Sequence, residues 1–348
     1  MKFKKHWQPL PYRLDFNERG IFVVRAHIVS TGMAVPEKII NNFDLEKIVD
    51  TTDQWIRERT GMFERHVTDK DTAASDLALL ASRQALEMGG IEPRELDAIL
   101  VATISGDYAW PATACILQHK LGAKNAMAFD LSAACSGYIY GLSVAQAYIE
   151  SGLYKNILLV GVDLLTKVVD WTDRNTCVLF GDGAGATILQ PNGSAAGILG
   201  TLLGADGSTA DLLCQPCGGS RVPISEEAIR EKKHFLYLNG REIFKHAVRV
   251  MTQTCHDVLK QCGLTLDDVK TVVPHQANIR IIEAVAQRLG LPMDRFFVNV
   301  EKYANTSAAT IPIALHEARE QGILQSGDRA LLVSFGGGLT WAGGVVQF

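Results

Sequence analysis

The stretch "DLSAACSGYIYGLSVAQAYIESGLYKNILLVG", residues 130–161, has a counterpart later in the same chain, "NTSAATIPIALHEAREQGILQSGDRALLVSFGGG", residues 305–338. Both contain Ser-Ala-Ala near the start, run into a helical pattern, turn at glycine and end in an apolar strand. The shift between them is 175 residues, which places Cys135 on Thr310 and Asp130 on Asn305. A second pair, "GIEPRELDAILVATIS" from Gly90 and "GLTLDDVKTVVPHQAN" from Gly263, is displaced by 173. Similar shifts in the same order read as an internal duplication. Helices alternating with buried apolar strands predict an α/β fold of two similar halves, with mainly parallel sheets covered by helices. Gly137 and Gly141, one helical turn apart, predict a close approach of the first helix to its pseudo-equivalent. Helix starts and strand ends from both halves would then meet at one cleft.

Composition bounds the function. The 348 residues are 47% hydrophobic and 21% charged, with a formal net charge of -4. That balance suits a soluble globular chain and argues against general nucleic-acid binding, which favours a basic domain. No apolar run reaches the length of about 18 residues that a membrane span needs. Lys2, Lys4, Lys5 and Arg13 are not followed by the apolar core of a secretory signal, so the expected location is the cytoplasm. The seven cysteines show no framework spacing and read as free thiols. The lone "CQPC" at 214–217 lacks a second pair or nearby histidines, and no convincing metal cluster is present.

Cys135 stands among Ser132, Ala133, Ala134, Ser136 and Gly137, at the expected start of a helix. Small neighbours permit close approach, and a helix start favours thiolate over thiol. The structural alternative is a small buried hydrophobe. His275, in "TVVPHQAN", follows an apolar strand, where α/β proteins place sites; a satisfied structural histidine is the alternative. Asn305 in "YANTSAAT" is either a helix cap or a group facing Cys135 across the pseudo-twofold. "FGDGAGATIL" (180–189) reads as a tight turn leading to a strand and does not fit a dinucleotide fingerprint. "SFGGGLTWAGG" (334–344) joins two strands, and its glycines expose N–H donors of the kind an oxyanion hole requires.

These residues resemble the thiolase superfamily, and more narrowly the β-ketoacyl-acyl carrier protein synthase III family. The resemblance runs from about Val24 to Phe348 through "TTDQWIRERTG", "DLSAACSGY", "TDRNTCVLFGDGAGA", "PHQANIRII", "NTSAATIPIAL" and "FGGGLTW". It implies a layered αβαβα fold, with an N-terminal extension over 1–23, a nucleophile half over 24–195 and a His/Asn half over 196–348. It also implies a homodimer. Cys135 would take an acyl group from a short acyl-CoA, with the N–H groups of Cys135 and Gly337 holding the oxyanion. His275 and Asn305 would donate hydrogen bonds to the thioester of malonyl-acyl carrier protein, the histidine from Nε2–H of a neutral ring. The product is 3-oxoacyl-acyl carrier protein, formed without metal or organic cofactor.

The same resemblance assigns CoA contacts to Trp55, Arg59, Arg174 and Asn278, and the pantetheine tunnel to Gly240 and Phe244. Trp110 would reach across the dimer to the partner's acyl pocket. Lys245, Arg249, Arg280 and Arg288 would form a basic face for the acidic carrier protein, although a solvated charged face fits any one of them equally. Ala304 stands where a glycine is common, a change of one methyl. Gly337 occupies the place of the thiolase base cysteine. A secondary-metabolism ketosynthase or acyltransferase of the same fold is the alternative reading, and a non-catalytic acyl-binding scaffold is a more distant one.

Overall fold

The computed structural model describes residues 24–193 and 196–348, so the expected N-terminal extension 1–23 lies outside the described residues. Its central strands are buried on both faces, and successive side chains feed different cores. Leu100, Leu159 and Leu332 pack with Tyr138, Leu142, Ile311 and Leu315. Their neighbours Ile99, Leu158 and Val160 pack outward on Leu77 and Leu117. Leu331 and Val333 pack outward on Met251 and Val285. A strand period of two therefore separates three cores.

The result is the layered αβαβα arrangement. Helices Gly137–Glu150 and Thr310–Glu320 form the middle layer between two sheets. Helices Ala74–Gly89 and Thr113–Leu121 cover one sheet, and Gly240–Gln261 and Ile279–Leu289 cover the other. The first sheet runs in the order Arg25–Ala34, Asp182–Asn192, Ile157–Leu164, Ala98–Ala102, Met127–Leu131. The second runs Gly197–Ala205, Thr340–Gln347, Arg329–Gly336, Thr271–Pro274, which repeats the order of the first four. Of the strands in these two sheets, those up to Asn192 belong to the first and those from Gly197 to the second, while Ile39–Asn41 with Glu64–His66 and Leu213–Cys214 with Tyr237–Leu238 form separate two-stranded sheets.

Several expectations are corrected. The sheets are mixed rather than mainly parallel: three of the seven pairings are parallel and four antiparallel. The antiparallel share includes the hairpin closed by the "FGGG" turn and the 182–192 strand. That strand includes Gly183 and Gly185 of "FGDGAGATIL". A Cβ on Gly185 would meet Pro312 Cβ at 2.7 Å, so this glycine admits the middle-layer helix rather than making a turn. Gly137 and Gly141 lie closest to their own sheet, against Ala102 and Leu159; Gly137 also faces Ala308 at 3.6 Å, in the turn that leads into the sister helix.

The repeat register also changes. A three-residue 3₁₀ turn at Ala134–Ser136 precedes the helix from Gly137, and one at Ser307–Ala309 precedes the helix from Thr310. Both turns begin with a left-handed residue, Ala134 at φ 46° and Ser307 at φ 52°. The true shift here is 173, so Cys135 matches Ala308 and Thr310 matches Gly137. What repeats is the strained backbone turn, two residues out of step with the Ser-Ala-Ala spelling. Asp130 is not the counterpart of Asn305; it accepts from the Thr113 and Ala114 amides at 2.7 and 2.8 Å and caps that helix.

Each turn is docked on the other half's strand. A Cβ on Gly161 would come within 2.3 Å of the Ala308 carbonyl oxygen, and one on Gly336 within 2.7 Å of the Cys135 nitrogen. Only glycine permits that approach. Gly161→Ala should therefore lower stability by about 1–3 kcal/mol through overpacking, while Gly207→Ala, which meets nothing within 4 Å, should change it by less than about 0.5 kcal/mol. Denaturant midpoints of the two variants check this, and equal midpoints would contradict it.

Candidate active site

A cavity of about 440 Å³ opens where the two turns meet. Cys135, His275, Asn305 and Gly337 all line it, as do Gly240, Phe244 and Asn278. The front half supplies the sulfur; the rear half supplies the imidazole, the amide and the glycine turn. Thr340 Oγ1 donates to the Ala133 carbonyl at 2.9 Å, tying the "FGGG" turn to the Cys135 turn.

Cys135 lies in the 3₁₀ turn ahead of the helix, not on its first α-turn. Burial pushes its thiol up to about 12; the Ser307 hydroxyl and the residue's own amide pull it down, and the Asp163 charge adds to the rise. The expectation that a helix start leaves Cys135 as thiolate is thus overturned: desolvation outweighs the local donors. The free enzyme carries a thiol, which needs a base.

His275 follows the Thr271–Pro274 strand, and its amide donates to the Val333 carbonyl at 2.8 Å. The next residue, Gln276, is buried and ties Pro274, Phe297 and Asn299 together, so the ring's backbone is rigid. Nδ1 is 2.7 Å from Thr310 Oγ1, which leaves Nε2 for the cavity. Burial lowers the His275 pKa from 6.5 to about 3, so the ring is neutral.

Asn305 is held by the "TCVLFGDG" segment. Its amide donates to Leu179 O at 3.0 Å, and its carbonyl accepts from Gly181 N at 3.2 Å. Its side-chain oxygen accepts from Ser307 N at 2.9 Å. It therefore accepts a hydrogen bond within the turn and also stands in the lining of the cavity that holds Cys135. Nδ2 has no protein partner among the described residues. The preceding Ala304 is buried with φ 55° and ψ −154°, a region that glycine alone enters freely. The methyl is thus a larger departure than its size suggests.

Sequence reasoning missed Asp163, at the end of the buried "ILLVGVDL" strand. Its carboxylate is fully buried and accepts from the Ile104 amide, the Ser105 amide and hydroxyl, and Thr103 Oγ1 at 2.7–3.1 Å. Across the halves it also accepts from Ala308 N at 3.2 Å. An acid ending an otherwise apolar strand was the available signal. Ser307 Oγ lies against both the Asp163 carboxylate and the Cys135 sulfur without an ideal hydrogen bond.

Trp55, Arg59 and Arg174 come together outside the cavity wall. Arg174 stacks over the Trp55 ring at 5.2 Å and Arg59 lies at 6.0 Å. Asn278 links them to the cavity by donating to the Arg59 carbonyl at 3.0 Å. It also caps the Ile279–Leu289 helix. Lys245, Arg249 and Arg288 line one groove between two outer helices, and Lys245 is paired with Glu242 at 2.7 Å. Arg280 lines neither that groove nor the cavity; it lies over the ring of Phe244, which lines both, at 5.9 Å. Trp110 is 84% exposed and does not line this cavity. Cys214 and Cys217 are free thiols, and no group of three or more His, Cys, Asp or Glu among the described residues is placed to hold a metal ion. Among the same residues no helix is long and apolar enough to cross a membrane.

Residues 129–207 match the model of the 3-oxoacyl-[acyl-carrier-protein] synthase III family, and residues 259–348 match that of its C-terminal part. A β-ketoacyl-[acyl-carrier-protein] synthase III from Caldanaerobacter subterraneus is 51% identical over 93% of this chain and 98% of its own. The chain belongs to the β-ketoacyl-[acyl-carrier-protein] synthase III family. The solved synthase III from Thermus thermophilus is 45% identical, covers 92% of this chain and 99% of its own, and superimposes with a TM-score of 0.87. The priming β-ketosynthase of the R1128 polyketide pathway is 33% identical over 95% of this chain and 98% of its own, at a TM-score of 0.86. Family membership makes this chain an acyl-transferring, condensing enzyme.

Two predictions follow from the geometry. Ala304→Gly should relieve the strained backbone and raise stability by about 1 kcal/mol, net of the flexibility that glycine adds to the unfolded chain; thermal unfolding reads it. His275 is neutral when folded but protonates near 6.5 when unfolded. The unfolded state therefore binds more protons between those values, and stability is lost as pH falls from 6.5 toward 3. His275→Gln should flatten that acid limb in denaturant titrations.

Proposed function

We propose that this chain joins a short acyl group from acyl-CoA to malonyl-acyl carrier protein and so initiates type II fatty acid synthesis. One observation carries the reading: Cys135, His275 and Asn305, drawn from both halves, line a single cavity. Similarity to synthase III enzymes at 51% identity supports the same substrates.

The reaction runs in two halves. The Cys135 sulfur attacks the acyl thioester carbonyl, and the tetrahedral oxyanion is held by the N–H groups of Cys135 and Gly337. The C–S bond to CoA breaks, and CoA leaves as the thiol. Malonyl-acyl carrier protein then enters. Asn305 Nδ2 donates to its thioester carbonyl, and His275 Nε2 is the second polar atom there. Loss of CO₂ leaves an enolate, whose carbon attacks the acyl-Cys135 carbonyl. The sulfur is expelled and 3-oxoacyl-acyl carrier protein departs. No step calls on a metal or organic cofactor.

Trp55, Arg59 and Arg174 supply a flat cationic clamp for the adenine and phosphates of CoA, with Asn278, Gly240 and Phe244 along the pantetheine path. The groove of Lys245, Arg249 and Arg288, with Arg280 over the neighbouring Phe244 ring, offers positive charge to an acidic carrier protein on a chain whose net charge is -4. The exposure of Trp110 supports a homodimer in which it closes the partner's acyl pocket. The cytoplasm, where acyl-CoA and carrier protein meet, is the proposed setting.

Incubation with acetyl-CoA should add one acetyl group by intact mass, and Cys135→Ser should show none. Asn305→Ala should still take the acetyl group but lose condensation with malonyl-acyl carrier protein by about 10²–10³-fold, the typical cost of removing one such donor. Condensation persisting in Cys135→Ser would reject the assignment.

A further inference from the structure

A neutral imidazole has one N–H, and its position decides whether Nε2 gives or takes a proton. The surroundings of His275 bias that position. Thr310 Oγ1 is 2.7 Å from Nδ1 and donates its own proton to the Ser307 carbonyl at 3.0 Å. A hydroxyl has a single hydrogen. With that hydrogen on Ser307 O, Oγ1 can only accept from the ring, so the proton sits on Nδ1 and Nε2 is bare. This is opposite to the Nε2–H donor expected from the sequence. Thr310 is buried and does not line the cavity, so it acts only through the ring.

We propose that Thr310 is the positioning residue that selects which nitrogen of His275 carries the proton, with the resting enzyme set to Nδ1–H. The proposal rests on the condensing activity above and assigns the ring's part in its first half. Bare Nε2 takes the proton from the Cys135 thiol as the sulfur attacks the acyl-CoA carbonyl. When the C–S bond of the tetrahedral intermediate breaks, the departing CoA sulfur takes that proton from Nε2, and the ring returns to Nδ1–H. Charge and protons balance, and the resting thiol never has to ionise by itself. The same hydroxyl has a second setting. Turned from Ser307 O to donate to Nδ1, it favours the Nε2–H tautomer, the form that can donate to the enolate of the second half. Reaching that setting is an exchange with water: Nε2 takes a proton from solvent entering the cavity and the Nδ1 proton returns to solvent, so the ring stays neutral. A backbone amide at this place would hold one setting only; a hydroxyl accommodates both. The matching position in the front half is Gly137, so the device belongs to the rear half alone.

The test uses the full chain labelled with ¹⁵N at histidine, with His275→Gln identifying the His275 signals among the nine histidines. The resting enzyme should show a protonated Nδ1 and a bare, pyridine-type Nε2. Thr310→Val should abolish that preference and slow acetylation of Cys135 by about 10-fold or more, within the range that a positioned base supplies. Thr310→Ser should restore both signals and rate. A resting ring protonated at Nε2, or a folded Thr310→Val with unchanged ring signals and acetylation rate, would overturn the proposal. Because the ring signals are read without substrate, they are independent of whether Cys135 accepts acetyl at all; a wild-type enzyme that takes no acetyl group overturns the functional reading instead.

Discussion

The site depends on one close approach repeated twice. Each half carries a strained turn ahead of its middle-layer helix, and each turn rests on a strand of the other half at a glycine, Gly161 or Gly336, that leaves room for backbone on backbone. Asp163 adds a hydrogen bond across the same seam, from the front strand to the rear turn. Thr340 adds a tie in the other direction, from the rear hairpin to the Ala133 carbonyl of the front turn. Large side chains elsewhere in the layers supply bulk burial, but these few atoms set the spacing of the reacting groups.

Burial then sets the protonation states. The same dry environment that raises the Cys135 thiol lowers His275. Opposite shifts leave both groups neutral at rest, which avoids an isolated buried charge. Burial also pushes the Asp163 carboxyl near the sulfur upward, and the donors that surround it work against that rise. A thiol and an imidazole that are both neutral can exchange a proton only when a substrate receives the developing charge.

Much of this was legible in the sequence. The duplication, the two middle-layer helices and the strand before His275 could be read from spelling and periodicity; Cys135, His275 and Asn305 stood out as candidates beside structural alternatives, and Gly337 came from the family resemblance. The repeat register could not. Ser-Ala-Ala attracts a match at 175, yet the backbone repeats at 173 because the left-handed residues Ala134 and Ser307 are the equivalent points. The thiol's state was hidden for a related reason: a helix start is visible in sequence, whereas how completely a neighbouring half excludes water is not. Gly137 and Gly141 announced a close approach without naming the partner, since a sheet and a helix make the same demand for small residues. Ala304 looked like a minor change because sequence shows the added methyl and conceals the φ it must adopt.

The crossed seating of the two turns makes neither half self-sufficient. A front half alone would carry its nucleophile on a turn with no floor, and a rear half alone would offer a base and an amide to empty solvent. Drift is therefore unequal along the chain: the outer helices can change their wall of contacts piecemeal, while Gly161, Gly336 and the turns they receive can alter only in concert. A gene that arose by doubling has, at this seam, become indivisible.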